Sequence, residues 1–239
     1  MKHKLTVLLI LLISSIGIVE SQTQLNINRF RISASAGIGY LFAEGEGEIE
    51  GVSSNVTNDI YKELRWLTNL NGDIHYMING NYGLGAKYIF QANSAGADNV
   101  IIDPYDGVHY LASDIWENDY LNYTGASFGG YTDIGNSGKL KLFSSLSVGY
   151  LWIRSEASVF NQNILATGGN FGMNFDFSLD YIFHPNLGLG FNLGTLYGVV
   201  YKVKLTDGSQ TVEQKLDKNS RYNASNIYLS LGLRCYINR

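Results

Sequence analysis

Apolar and polar side chains alternate along most of this chain. Phe171, Met173, Phe175, Phe177, Leu179, Tyr181 and Phe183 fall on one parity, and Asn170, Gly172, Asn174, Asp176, Ser178 and Asp180 on the other. A repeat of two belongs to a β-strand with one apolar and one polar face. Ile227, Leu229, Leu231, Leu233, Cys235 and Ile237 repeat it against Tyr228, Ser230, Gly232, Arg234 and Tyr236. Both runs exceed the about 5–6 residues usual in soluble strands. They match the roughly 9–11 that a tilted strand needs to cross a bilayer. The same alternation marks residues 32–42, 64–76, 82–91, 140–152 and 187–199. In 120–132 glycines and aromatics occupy both parities, so that stretch has no assigned faces; it is kept as a strand because bacterial single-chain barrels have an even strand count.

The connections alternate in length. Long segments (44–60, 93–119, 155–168, 202–220) take turns with short ones (78–81, 133–138, 184–186). The short ones hold turn formers: Asn79-Gly80, Gly135-Asn136-Ser137-Gly138 and His184-Pro185-Asn186. Tight turns on the periplasmic side and longer loops outside are the asymmetry of outer-membrane barrels. The pattern therefore predicts an all-β fold, a transmembrane antiparallel up-and-down β-barrel of about eight strands with both termini in the periplasm.

The N-terminus fits export. Lys2, His3 and Lys4 precede an almost uncharged apolar run from Leu5 to Val19, followed by small residues such as Ser21, which is the layout of a secretory signal peptide. Residues 1–21 are expected to be the signal peptide and 22–239 one barrel domain. No Cys lies near the junction for lipid attachment, and Cys235, the single cysteine, has no partner for an intramolecular disulfide. Composition agrees: 27 Gly and 17 Tyr with only 2 Pro favour strands and turns over helices. A net charge of -4 gives no sign of a nucleic-acid partner.

If the apolar faces meet lipid, then Glu63, Arg65, Asp73, Lys87, Lys141, Asp176, Asp180 and Arg234 point into the barrel. Eight strands leave a lumen just wide enough for side chains to fill. A hydrogen-bonded plug is expected, with Arg65, Lys87, Asp176, Asp180 and Arg234 each held by an opposite charge or a tyrosine hydroxyl. A soluble barrel would turn the apolar face inward and could not fit so many large aromatics in a small lumen.

The Gly-aromatic pairs Gly39-Tyr40 and Gly149-Tyr150, the turn Phe183-His184-Pro185-Asn186-Leu187-Gly188-Leu189-Gly190 and the closing strand from Tyr228 to Tyr236 resemble the small outer-membrane β-barrel, or porin-like, family. The resemblance covers essentially the whole mature chain. It implies a place in the bacterial outer membrane, with membrane lipid and the barrel-insertion machinery as partners. One departure is at the end: such chains commonly close on a terminal aromatic, whereas here Tyr236 is followed by Ile237-Asn238-Arg239.

Candidate chemistry is sparse. Outside the leader the histidines are His75, near a periplasmic strand end on the polar parity, His184, in a short turn, and His109, with no hydroxyl nucleophile two residues away since Tyr110 and Leu111 follow. No enzyme activity and no catalytic residue are expected. Asp98, Asp103, Asp106 and Asp114 cluster in the longest connection without the ligand spacing of a calcium loop, and there is no Gly-rich phosphate cradle. No metal site and no cofactor are expected. The triplets at Asn55, Asn122 and Asn223 match a glycosylation acceptor that has meaning only in a eukaryotic secretory path. The leading functional class is a structural or surface-interaction barrel whose long Tyr- and Asp-rich loops contact an extracellular ligand or envelope component. A narrow channel for small solutes is the alternative, distinguished by whether interior charges pair, and a soluble lipid-carrying barrel is a weaker one.

Overall fold

The structure is a computed structural model, and it describes residues 28–42, 49, 51–78, 81–102, 111–135, 137–159, 162–208, 210–217 and 221–238. The expected leader, 1–21, lies outside them, as do the Asn79-Gly80 turn, Asn136, Asp103, Asp106 and His109. Eight strands carry the barrel: β1 (Asn28–Leu41), β2 (Trp66–Met77), β3 (Tyr82–Ile102), β4 (Leu111–Asp133), β5 (Leu140–Val159), β6 (Gln162–His184), β7 (Leu187–Val200) and β11 (Asn226–Asn238). A helix α1 (Ser54–Leu64) joins β1 to β2, and short strands β8 (Lys202–Thr206), β9 (Thr211–Lys215) and β10 (Tyr222–Asn223) lie between β7 and β11. Each long strand pairs antiparallel with the next, and β11 closes on β1. The expected eight-stranded up-and-down barrel is thus the observed one.

The register fixes its size. A row of directly opposed residues runs from Phe30 through Tyr76, Leu84, Phe128, Leu146, Phe175, Thr195 and Ile227. It returns to β1 at Tyr40, ten residues beyond its start. With eight strands this stagger sets a tilt of about 40°. At about 3.3 Å per residue, the ten residues climb roughly 25 Å along the barrel axis, the height of the apolar band of a membrane barrel. Aromatics bound that band on the outside: Phe30, Tyr76 and Tyr181 near the short turns, and Tyr40, Trp66 and Trp152 at the opposite, loop end. Between them Leu231 is 65% exposed and Leu233 60%. Exposure of so many large apolar side chains in a closed ring calls for a nonaqueous surround.

Two of the expected short turns can be described. Gly135 and Gly138 have φ of 75° and 64°, values that favour glycine, and Pro185 and Asn186 link β6 to β7 directly. Strand β4 resolves the unassigned faces: Leu121, Tyr123, Ser127 and Tyr131 point inward, and Tyr120, Asn122, Thr124 and Phe128 outward.

Three expectations are corrected. Strand β2 begins at Trp66, two residues later than the alternation suggests, because Thr57, Ile60 and Leu64 recur at helical spacing and bury one face of α1. Glu63 is therefore exposed on a helix and does not enter the lumen. The segments 93–119 and 155–168 are not long loops: β3 and β4 stay paired up to Ile102 and Leu111, and β5 and β6 up to Val159 and Gln162. A wall thus rises beyond the apolar band, widened by the β8–β9 hairpin on the edge of β6. The third concerns the inward parity, which is not polar throughout. Its loop-end half is partly apolar, with Ile89, Leu121, Tyr123, Leu151, Leu196 and Tyr228 in one buried cluster.

Candidate functional site

The half of the lumen nearer the short turns is filled by charge. Arg31, Lys87 and Arg234 face Asp73, Asp176 and Asp180, all buried, three cations against three carboxylates. Alternation places them: each sits on the inward parity of β1, β2, β3, β6 or β11. Arg31 bridges two acids, with Nη1 2.5 Å from Asp73 Oδ1 and Nη2 3.1 Å from Asp180 Oδ2. Arg234 Nε donates to Asp180 Oδ1 at 3.1 Å, and its Nη2 to Asn192 Oδ1 at 2.7 Å. Lys87 pairs with Asp176, which also accepts from the Tyr228 hydroxyl, and Tyr236 donates to Asp180 at 2.8 Å. An added Cβ at Gly190 would lie 2.4 Å from the Arg234 guanidinium carbon, so the bare backbone there makes room for it.

Four of the five residues expected in this network are in it. Arg65 is the exception. It follows α1 at the loop end, where its Nη1 reaches the Tyr40 hydroxyl at 3.4 Å. Lys141 sits at the turn end of the lumen, 3.1 Å from Asp133 and over the Tyr131 ring. Arg31, the cation that bridges two carboxylates, was not on the inward list; it lies one residue before the recognised alternation.

Above the charges comes a layer of amides. Asn71 donates to Ser230 at 3.0 Å, and Gln91 exchanges hydrogen bonds of 2.9 Å with Asn226. Beside these amides, on the side of β4, β5 and β7, the apolar cluster fills the rest of the section. Below, Phe143, Tyr131, Met77 and Tyr236 close the turn end, with Arg31 stacked 4.0 Å over Phe143.

One arrangement was invisible in the sequence. His75 Nδ1 is 3.0 Å from Asp73 Oδ1, and its Nε2 is 2.9 Å from Ser127 Oγ, the order of groups in a serine hydrolase. Three features separate it from a working triad. His75 is 0% and Ser127 3% exposed, Asp73 is already engaged by Arg31 and Ser33, and Phe143 lies edge-on to the imidazole with ring centroids 4.9 Å apart. The Ser127 hydroxyl is thus buried within the packed lumen. An active-site-directed phosphonate should leave Ser127 unlabelled in the folded barrel, as read by mass spectrometry of the digest; stoichiometric labelling abolished by His75→Gln would establish a hydrolase centre.

The other candidates stay apart. His184 lies in an exposed turn, and its Nδ1 accepts from the Asn186 N–H at 3.4 Å. Asp98 is exposed, and Asp114 accepts from the Asn99 N–H at 2.9 Å beside a bulge in β3. Asn55 is exposed on α1, Asn122 accepts from Tyr88 at 2.7 Å, and Asn223 accepts from the Ser225 N–H. Among the described residues no three His, Cys, Asp or Glu side chains converge as a metal group would.

Above the aromatic ring, two acids lie on the inner face of β4. Burial and the neighbouring Asp119 push the Glu117 carboxyl up to about 7, and burial also raises Asp119. On the outside of the same wall a cavity of about 460 Å³ opens between Tyr120, Tyr150 and Trp152 below and Arg154, Lys202 and Lys204 above.

No protein-family model matches the sequence, and no curated protein sequence does. Solved structures with a similar course of chain include Neisserial surface protein A (15% identity, 87% of this chain and 97% of that one, TM-score 0.47). OprG from Pseudomonas aeruginosa is similar over 87% of this chain and 95% of its own, at 10% identity and a TM-score of 0.49. The outer membrane protease OmpT from Escherichia coli matches over 91% and 99%, at 10% identity and a TM-score of 0.48.

Proposed function

We propose that this chain is a non-enzymatic protein of the bacterial outer membrane, a sealed barrel that anchors a rigid β-wall at the cell surface for structural or adhesive contact. Residues 1–21 serve as the export signal and 22–239 form the mature domain. The barrel meets membrane lipid along its exposed apolar band, and the closing strand β11 is offered to the insertion machinery. The wall, made by the outer parts of β3 to β6 with the β8–β9 hairpin, is where an extracellular ligand or envelope component binds.

The observation that carries this reading is the filled lumen. Balanced charges fill the turn-end half of one narrow section, amides and an apolar cluster side by side fill the loop-end half, and conduction needs a continuous wet path. A wall of paired strands is also stiffer than the loops it replaces, so a partner that binds it loses less free energy to ordering.

The test is electrical. The purified protein in planar bilayers should show no steady conductance above background, and Lys87→Ala, which opens space beside Asp176, should add at most brief, small openings. A large, sustained conductance in the parent protein would reject the sealed barrel and favour the solute channel.

A further inference from the structure

The carboxyl groups inside the barrel and those at its outer mouth are treated differently. Every acid of the lumen network touches a cation: Asp73 has Arg31, Asp176 has Lys87, and Asp180 has Arg31 and Arg234. Among the described residues Glu117 and Asp119 have none. The groups acting on them are each other, the Ser155 hydroxyl and the phenols of Tyr61 and Tyr222. Ser155 Oγ donates to Glu117 Oε1 at 3.1 Å, and Tyr222 donates to Asp119 Oδ2 at 3.4 Å.

A third oxygen joins them. Asn93 stands directly opposite Asp119 across the β3–β4 ladder, as Ser155 does across β4–β5. The amide nitrogen of Asn93 donates to the Leu64 carbonyl at the end of α1, which commits its oxygen to the side away from the helix. Both residues are 7% exposed, and Asn93 Oδ1 and Asp119 Oδ1 are buried without a hydrogen-bond partner among the described residues. Buried acceptors are normally satisfied, and two facing orphans beside a second carboxyl form a set of oxygens that lacks a donor. Burial without a counter-charge is costly for a carboxylate.

We propose that Asp119, Glu117 and Asn93, with Ser155 beside them, form a binding site for a hard divalent cation of the calcium class at the outer mouth of the barrel. Calcium takes six to eight oxygen ligands in flexible geometry and accepts carboxylates, amide carbonyls and water together. Two carboxylates neutralise its charge, and the amide oxygen supplies the kind of neutral ligand such sites include. Bound there, the ion ties β3 to β4 and, through Asn93, holds the end of α1 against the inner wall, where Ile60 and Leu64 already pack on Ala95, Val100 and Ile115. Calcium at the cell surface then sets how firmly the mouth is covered.

The test uses the full folded chain in detergent, stripped with EDTA and titrated with calcium chloride while thermal unfolding is followed. The melting temperature should rise with half-saturation at about 10⁻⁴ to 10⁻³ M, the range of extracellular calcium modules. Asp119→Asn and Asn93→Ala, first shown to fold by heat-modifiable gel mobility, should each need at least about tenfold more calcium, a difference of about 1.4 kcal/mol. Asp98→Asn, at an exposed acid on the same wall, should respond like the parent. Three results would overturn the site: no calcium-dependent rise in the parent, an unchanged rise in both site variants, or an equal loss in Asp98→Asn. A rise produced by acid and not by calcium would assign the orphaned oxygens to a shared proton instead.

Discussion

Replacing Asp180 by asparagine is expected to cost the folded barrel about 3–5 kcal/mol, because it strands two buried guanidinium groups at once. Asp180 is 0% exposed and accepts from Arg31, Arg234, Tyr236 and Ser178. Asparagine keeps the shape but replaces one acceptor oxygen with a donor aimed at donors. Two cations are then left with Asp73 as their nearest anion, and lipid surrounds the wall. Urea unfolding in detergent micelles, followed by tryptophan emission, measures the loss. Combining Asp180→Asn with Arg234→Gln should recover part of it, since the second change removes one unpaired charge. A loss below about 1 kcal/mol, within the range of exposed ion pairs, would mean that water reaches the network and that the lumen is wet.

The second large effect belongs to the opposite face. Leu231→Arg places a guanidinium in the middle of the apolar band, between Ala36 on β1 and Phe191 on β7. At mid-bilayer depth the expected penalty is about 2–4 kcal/mol. It should appear as reduced folding into lipid vesicles, scored by heat-modifiable mobility. Thr211→Arg, on an exposed strand beyond the band, is the matched control and should fold like the parent. Equal tolerance of both substitutions would contradict the lipid-facing parity.

Those two expectations rest on alternation, and alternation was legible wherever one face of a strand meets lipid and the other the lumen. Strands β6 and β11 are of that kind, which is why Asp176, Asp180 and Arg234 could be placed inward from sequence. Arg31 escaped because it lies near the start of its strand, directly after Arg29 and Phe30. A charge at a strand end reads as solvated until the partner strands are known. The outer halves of β3 and β4 escaped for the opposite reason: with water available, residues such as Asn93, Ser94, Asn118 and Asp119 need no fixed period, and a polar run reads as loop. Helix α1 was hidden by Leu64, Trp66 and Thr68, whose spacing suits a strand although Leu64 is buried as part of a helix. The facing of Asn93 and Asp119, and of His75 and Ser127, is set by β-register across 26 and 52 residues of chain. Register comes from the closure of the whole sheet, and no local motif reports it.

The closure between β1 and β11 has a consequence for the order of assembly. Arg31 and Arg234 come from the two ends of the barrel sequence, and both find Asp180 on β6, 149 and 54 residues away. A strand entering the bilayer alone would carry its arginine through hydrocarbon with no acid to meet, at a cost of several kcal/mol for each crossing. Stepwise insertion is therefore uphill until the last pairing forms. The lowest route keeps the charges sheltered on the concave side of a nearly complete curved sheet and moves them into lipid together as the seam shuts. Ladder formation along the long paired strands β3 to β6 then precedes burial of the charges, and the slow step is the joining of the first strand to the last.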